Sequence, residues 1–251
     1  MIEVCRLSKV FTDKKRGMVR AVDEVSFEVR PGEIFGLLGP NGAGKTTTLR
    51  ILATLLAPTS GTARVGGADI IREPEAVRRQ IGFLSGDMGL YGRLTPRELL
   101  AFFGRLHRRD GAALADRIGQ LVALLDMAEF ADTRIDKLST GMRQKTAIAR
   151  TLVHDPAILI LDEPTAGLDV PTARVIEEFI VRAKQSGKSI LYSTHVMEEA
   201  EYLCDRIAVI HHGRIGRPGT IEELRAQTGK TRLREVFLCL LGADKSREPA
   251  R

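Results

Sequence analysis

The stretch Gly39-Pro40-Asn41-Gly42-Ala43-Gly44-Lys45-Thr46 decides the reading of this chain. It fits G-x-x-x-x-G-K-[ST], a loop that cradles the phosphates of a nucleotide. The motif requires a strand before it and a helix after it. Ile34 to Leu38 is a short apolar run that reads as a buried strand, and Thr46 to Leu56 reads as a helix with Leu49, Leu52, Leu55 and Leu56 apolar. Strand, glycine-rich turn and helix together aim backbone N–H groups and a helix N-terminus at a polyphosphate. Gly39, Gly42 and Gly44 let the backbone turn and approach phosphate with no Cβ in the way. Lys45 is expected between the β- and γ-phosphates, with the Thr46 hydroxyl on Mg²⁺. Pro40, Asn41, Ala43 and Thr47 complete the expected nucleotide contacts. The plain alternative is a glycine-rich turn with a surface lysine, against which the flanking strand and helix argue.

Composition narrows the class. With 43% hydrophobic and 28% charged residues in 251, the chain reads as a soluble globular protein long enough for a real core. No apolar run approaches the roughly 18 residues of a membrane span. Met1-Ile2-Glu3-Val4-Cys5 reads as a strand, without the basic and apolar regions of a signal peptide. Cys5, Cys204 and Cys239 are widely spaced, which fits a reducing cytosol and neither a metal site nor a disulfide framework. The net charge of +6 suits a nucleic-acid binder or a protein resting on an anionic membrane face, yet the absence of Trp and only three Tyr leave little for stacking bases. The basic cluster Lys14-Lys15-Arg16 reads as a solvated hairpin turn.

Residues 2–30 alternate like paired strands, and Pro31-Gly32 turns into the phosphate-loop strand. Phe11, at a strand end, is either an adenine-stacking ring or a core phenylalanine. Ala63-Arg64-Val65 with Gly66-Gly67 reads as a hairpin, Glu75 to Arg79 as a short charged helix, and Ile81 to Ser85 as a strand running into Gly86-Asp87. Thr95-Pro96-Arg97-Glu98 is a capping box with Pro at the first helical position. From there residues 95–154 read as nearly all helix, including Ala112 to Leu125 and a helix after Ser139. They form a helical insert in an α/β core.

Ile158-Leu159-Ile160-Leu161 is a second continuous apolar run, as expected of a parallel strand buried on both faces, and it ends in Asp162-Glu163-Pro164. In a chain with a phosphate loop, Asp162 is expected to hold Mg²⁺ through water. Glu163 is expected to polarise the attacking water as general base. Val175 to Ala183 reads as a helix and Ser189 to Ser193 as the next strand. That strand leads to His195, where ligands bind in doubly wound sheets, although chemistry alone leaves its role open. Ile207 to Ile210 and Arg214-Ile215 read as a closing hairpin around His211-His212-Gly213. Residues 221–227 read as a helix and 243–251 as a frayed polar tail.

Five motifs now stand in order, and over essentially its whole length the chain resembles the ATP-binding subunit of an ABC transporter. They are the phosphate loop Gly39 to Thr46; Leu138-Ser139-Thr140-Gly141-Met142-Arg143-Gln144, similar to the LSGGQ signature; Ile158 to Glu163, similar to Walker B; Ala166-Gly167-Leu168-Asp169, similar to the D-loop; and His195, matching the switch histidine. The resemblance implies an α/β fold: a P-loop NTPase (RecA-like) core with an antiparallel β subdomain and an inserted α-helical subdomain. Its expected boundaries are 1–85, 86–154, 155–228 and a C-terminal extension, 229–251. It further implies ATP and Mg²⁺ as ligands, Phe11 on the adenine, and catalysis by Lys45, Glu163 and His195. Two subunits, identical or different, would pair head to tail, with Ser139 and Gly141 closing on the γ-phosphate held by the partner. A membrane permease would be the other partner, reached from the cytoplasmic face, with Gly86 to Leu94 receiving it; no nucleic acid is implied.

Two departures from the family pattern stand out. Gly86 occupies the place of the usual glutamine, so a water, Ser85 or Asp87 fills that role, or coupling differs. The signature carries Thr140 for its first glycine and Met142 for its glutamine. These variants, with Gly89-Leu90-Tyr91 and Arg234 to Leu238, resemble the sodium-extrusion subgroup of exporters. The alternatives are export of drugs or other small molecules, a regulatory or soluble ATPase of the family, and an unrelated phosphate-loop kinase.

Overall fold

Alternation over residues 2–29 produces an antiparallel pair, β1 (Ile2–Asp13) and β2 (Gly17–Val29), in register from Ile2 opposite Val29 to Asp13 opposite Gly17. The turn joining them, Lys14-Lys15-Arg16, lies outside the described residues, which are 1–13, 17–86 and 89–245 of this computed structural model. The phosphate-loop strand is β3 (Ile34–Leu38), buried at every position, and the loop leads into α1 (Lys45–Leu52). That helix stops four residues short of the expected Leu56: Thr54 takes a left-handed φ of 60°, and Leu55 turns 63% exposed. The hairpin follows as β4 (Ser60–Val65) and β5 (Ala68–Asp69), then α2 (Pro74–Gln80) and β6 (Ile81–Leu84).

The helical insert holds α3 (Pro96–Leu106), α4 (Gly111–Leu124), a 3-10 turn at Ile135–Lys137 and α5 (Thr140–Leu152). The capping box forms as expected: Glu98 N donates to Thr95 Oγ1 at 3.2 Å and Thr95 N to Glu98 Oε2 at 2.8 Å. The second apolar run becomes β7 (Ile158–Asp162). Next comes α6 (Val170–Gln185), which begins five residues before the expected Val175 because Asp169 caps it, accepting from Thr172 N at 2.8 Å. The chain continues through β8 (Ser189–Thr194), α7 (Met197–Leu203), β9 (Arg206–His211), β10 (Arg214–Ile215) and α8 (Ile221–Thr228) to α9 (Leu233–Lys245). Neither α7 nor α9 is an element that the sequence reading anticipates. The start of the expected frayed tail is the end of α9, and 246–251 lie outside the described residues.

Two sheets result. One is antiparallel, ordered β2-β1-β4-β5. The other is ordered β10-β9-β3-β8-β7-β6, parallel except for β10. Side chains alternate across the parallel sheet. Phe35, Leu37, Ile160 and Leu191 pack toward α1 and the antiparallel sheet, with Phe35 stacked on Phe27 at 5.2 Å between ring centroids. Ile34, Leu159, Leu161, Ile190 and Tyr192 pack toward the helical insert and α6. A third cluster joins Leu38, Ile207 and Val209 to α7, α8 and α9. Both faces of the sheet are covered, which is why its strands read as continuous apolar runs. The strand order makes β3, β8 and β7 neighbours that share one carboxyl edge.

Candidate nucleotide site

That shared edge assembles the site. Leu38 pairs with Thr194, and Ser193 with Asp162, so the residues just past β3, β7 and β8 converge. The phosphate loop rises from β3 and is wedged between neighbours. A Cβ on Gly39 would lie 2.4 Å from Ile210 O, and one on Gly44, whose φ is 109°, would lie 2.4 Å from Ala21 O. Both positions therefore require glycine, Gly44 for its left-handed backbone as well.

Lys45 is only 4% exposed. Its ammonium donates to Gly39 O at 2.6 Å and Pro40 O at 3.1 Å, and pairs with Glu163 Oε1 at 3.0 Å. The other oxygen of that carboxylate meets His195 Nδ1 at 3.0 Å. Glu163 holds a left-handed φ of 47°, a strained geometry for a residue with a Cβ. Its N–H is anchored on β8, donating to Ser193 O at 3.1 Å and approaching Ser193 Oγ at 3.2 Å. The kink sends the Glu163 side chain back toward Lys45. Asp162, buried just before it, accepts from Ser193 Oγ at 2.6 Å.

Pro40, Asn41, Gly42, Gly44, Lys45, Thr46, Thr47 and Glu163 line one cavity of about 130 Å³, together with Ala21 of β2. A cavity lined by a loop at a helix N-terminus, a cation and a carboxylate can hold an anion and set a proton acceptor against it. Of the expected site residues, Phe11, Gly39, Ala43, Ser139, Gly141, Asp162 and His195 do not line it. Phe11 is 39% exposed on β1 with Lys9 Nζ 5.2 Å above its ring. Ser139 caps α5, accepting from Met142 N at 3.2 Å, and Gly141 faces Thr172 at the start of α6. No described residue lies within 4 Å of where a Cβ on Gly86 would stand, and Asp87 lies outside the described residues.

Several participants escape a reading of the sequence. Ala21 lines the cavity, Ser193 braces both acids, and Gln144 Nε2 donates to Pro164 O at 2.5 Å, tying the signature helix to the turn after Glu163. Two of them carried a signal: Gln144 ends the signature-like stretch, and Ser193 is a hydroxyl at the end of a buried strand shortly before His195.

Comparison with known proteins agrees with this geometry. Residues 22–166, more than half the chain, match the ABC transporter family. Over 242 residues the chain is 42% identical to the ABC transporter ATP-binding protein NatA of Bacillus subtilis (strain 168), covering 96% of this chain and 98% of that protein. It is 40% identical over 233 residues to the daunorubicin/doxorubicin resistance ATP-binding protein DrrA of Streptomyces peucetius, covering 93% of this chain and 69% of that one. The fold matches a dimeric structure of a post-hydrolysis state of the ATP-binding cassette MJ0796 bound to ADP and Pi, with a TM-score of 0.80 at 26% identity, covering 88% of this chain and 99% of that one. Near-complete mutual coverage at this level of identity settles the matter: the chain belongs to the ABC transporter family, as an ATP-binding, ATP-hydrolysing subunit of an exporter.

Proposed function

We propose that this subunit powers sodium export through a separate membrane permease, working as a head-to-tail pair of cassettes on the cytoplasmic face. The observation that carries the catalytic part is the line of contacts from Lys45 through Glu163 to His195, each 3.0 Å long, across three adjacent strand ends. Asn41, Gly42, Gly44, Lys45, Thr46 and Thr47 line the cavity and offer backbone N–H groups to the triphosphate, and Lys45 offsets its charge. Phe11 stacks on the adenine. Glu163 accepts a proton from the attacking water, and His195 holds the carboxylate in line. A buried carboxylate on Asp162 and the hydroxyl of Thr46 form an all-oxygen donor set, which suits a hard divalent cation. Mg²⁺ held there would neutralise charge on the leaving phosphates.

Ser139 and Gly141 serve the partner cassette's nucleotide rather than their own, consistent with their absence from this chain's cavity. The described part of Gly86 to Leu94 adjoins an exposed aromatic shelf that supports the permease contact. Tyr91 meets Phe102 edge to face at 6.0 Å, and Arg150 lies 5.3 Å over Phe103. Exposed aromatics grouped in this way mark a protein-binding surface. The described residues contain no helix long and apolar enough to cross a membrane; in this reading a separate permease supplies the transport path. Sodium rests on the motif variants at Gly86, Gly89 to Tyr91 and Thr140 to Met142, which resemble the sodium-extrusion subgroup of exporters. We assign the β subdomain and phosphate-loop half to 1–85, the signature subdomain to 86–154, the second half of the core to 155–228 and the extension to 229–251.

The test is ATP-driven sodium accumulation in inside-out vesicles that carry the subunit and its permease. The expected result is accumulation that Glu163→Gln abolishes. Accumulation of an anthracycline without sodium would overturn the sodium reading. Hydrolysis without transport of either would overturn the coupling.

A further inference from the structure

Beside the Lys45–Glu163–His195 line stands a second carboxylate to which the proposed reaction gives no role. Glu199 lies in the first turn of α7, and three hydroxyls from two other segments donate to it. Thr165 Oγ1 donates to Oε1 at 2.5 Å, while Tyr192 OH at 2.8 Å and Thr194 Oγ1 at 2.6 Å donate to Oε2. All three donors are buried, Tyr192 completely. Burial and then the Glu199 charge push the Tyr192 hydroxyl far above its ordinary pKa, so it stays a donor. On α6, Glu177 is also raised, by burial first and then by Glu199, against the pull of Arg174.

Where these donors sit gives the cluster its meaning. Thr165 is two residues past Glu163, and Thr194 directly precedes His195. The Thr194 hydroxyl also accepts from Val196 N at 3.0 Å, so one side chain fixes the backbone on both sides of His195. The carboxylate thus bridges the segment that carries Glu163 and the segment that carries His195. A charged acceptor shared by three O–H donors makes short, strong bonds and holds its partners more firmly than neutral pairs would.

We propose that Glu199 is a positioning residue for ATP hydrolysis, clasping Thr165 and Thr194 so that His195 and Glu163 keep their contact. This inference rests on the reading of Glu163 and His195 as the pair that positions the attacking water.

The experiment is a steady-state ATPase double-mutant cycle on the full chain: wild type, Glu199→Ala, His195→Ala and the double variant, with Glu199→Gln alongside. Glu199→Ala is expected to lower kcat by about tenfold or more and to leave KM for MgATP within about twofold, because it touches no nucleotide group. Acting through His195, it should cost little more in the double variant, which should match His195→Ala within about twofold. Glu199→Gln should regain most of the rate, since its amide oxygen still accepts from Tyr192 and Thr194 and its NH₂ can donate to Thr165.

Wild-type kcat in Glu199→Ala, or a double variant slower by the full product of the two effects, would overturn the proposal. If Glu199→Ala does not fold, Thr194→Val and Tyr192→Phe take its place in the cycle, and additivity with His195→Ala has the same consequence. Wild-type turnover by His195→Ala itself would instead sink the catalytic reading beneath it.

Discussion

Replacing Gly39 by alanine tests how the phosphate loop is held. The added methyl would sit 2.4 Å from Ile210 O, 2.8 Å from Ile210 Cγ2 and 3.3 Å from the Ala43 methyl. The nearest of these is backbone in β9, pinned beside β3 by the Leu38–Val209 pairing, so no side chain can swing aside. Ordinary separation requires Gly39 and Ile210 to part by about 1 Å. Gly39 N donates to Thr194 O at 3.2 Å, and Gly39 O accepts from the Lys45 ammonium at 2.6 Å, so the shift strains both. Overpacking of this kind costs about 1–3 kcal/mol, and weakening a bond to a charged donor costs about 1 kcal/mol more. We expect Gly39→Ala to lose about 3 kcal/mol of stability in urea titrations. Its affinity for MgATP should fall at least about tenfold, the equivalent of 1.4 kcal/mol, in a fluorescent-nucleotide titration kept where the variant is folded. Gly86→Ala is the control. Among the described residues its Cβ would meet nothing within 4 Å, so it should stay within about 0.5 kcal/mol of the parent. Parent-like stability and affinity in Gly39→Ala would refute the wedge between β3 and β9.

Three further outcomes rest on particular contacts. Ser193→Ala removes the 2.6 Å donor to the buried Asp162 and should cost about 1–3 kcal/mol in chemical denaturation, together with a drop in kcat. Thr95→Ala breaks the capping box of α3 and should cost about 1 kcal/mol, read as a lower urea midpoint with ATPase activity retained. His154 donates from Nε2 to Ile81 O at 2.9 Å, and its Nδ1 is buried without a partner. Burial, with His107 beside it, depresses its pKa from 6.5 to about 4. Between those values the unfolded chain binds the extra proton, so stability should fall as pH drops from 6.5 toward 4. Urea midpoints measured across that window should change less steeply in His154→Gln, which keeps a donor and loses the titration; identical slopes would refute the assignment.

Much of this architecture is legible in the chain because its informative features are local. The runs Ile34 to Leu38 and Ile158 to Leu161 announce strands buried on both faces, and the glycines and acids at their ends announce the edge where they meet. Thr95 and Ser139 carry side chains that cap helices, and both do so. The start of α6 was also available locally, since Asp169 and Pro171 form a cap followed by a first-turn proline. What escapes is either weakly patterned or made by pairing. Helix α7 buries only Ala200 and Leu203 among acidic residues, too little apolar periodicity to register. Ser193 meets Asp162 only because β8 pairs with β7. The Glu199 clasp gathers residues from positions 165, 192 and 194, a grouping that exists only after the sheet and α7 are in place.

In the proposed mechanism Glu163, held between Lys45 and His195, drives hydrolysis in a cassette that closes on ATP as a dimer. Steady-state ATPase activity of the purified chain and of Glu163→Gln, with size-exclusion chromatography with and without ATP, tests it most directly. The expected result is turnover by the parent, and a Glu163→Gln variant that is silent but elutes as an ATP-dependent dimer. Hydrolysis by Glu163→Gln at the parent's rate, or a silent variant that stays monomeric with ATP bound, would contradict it.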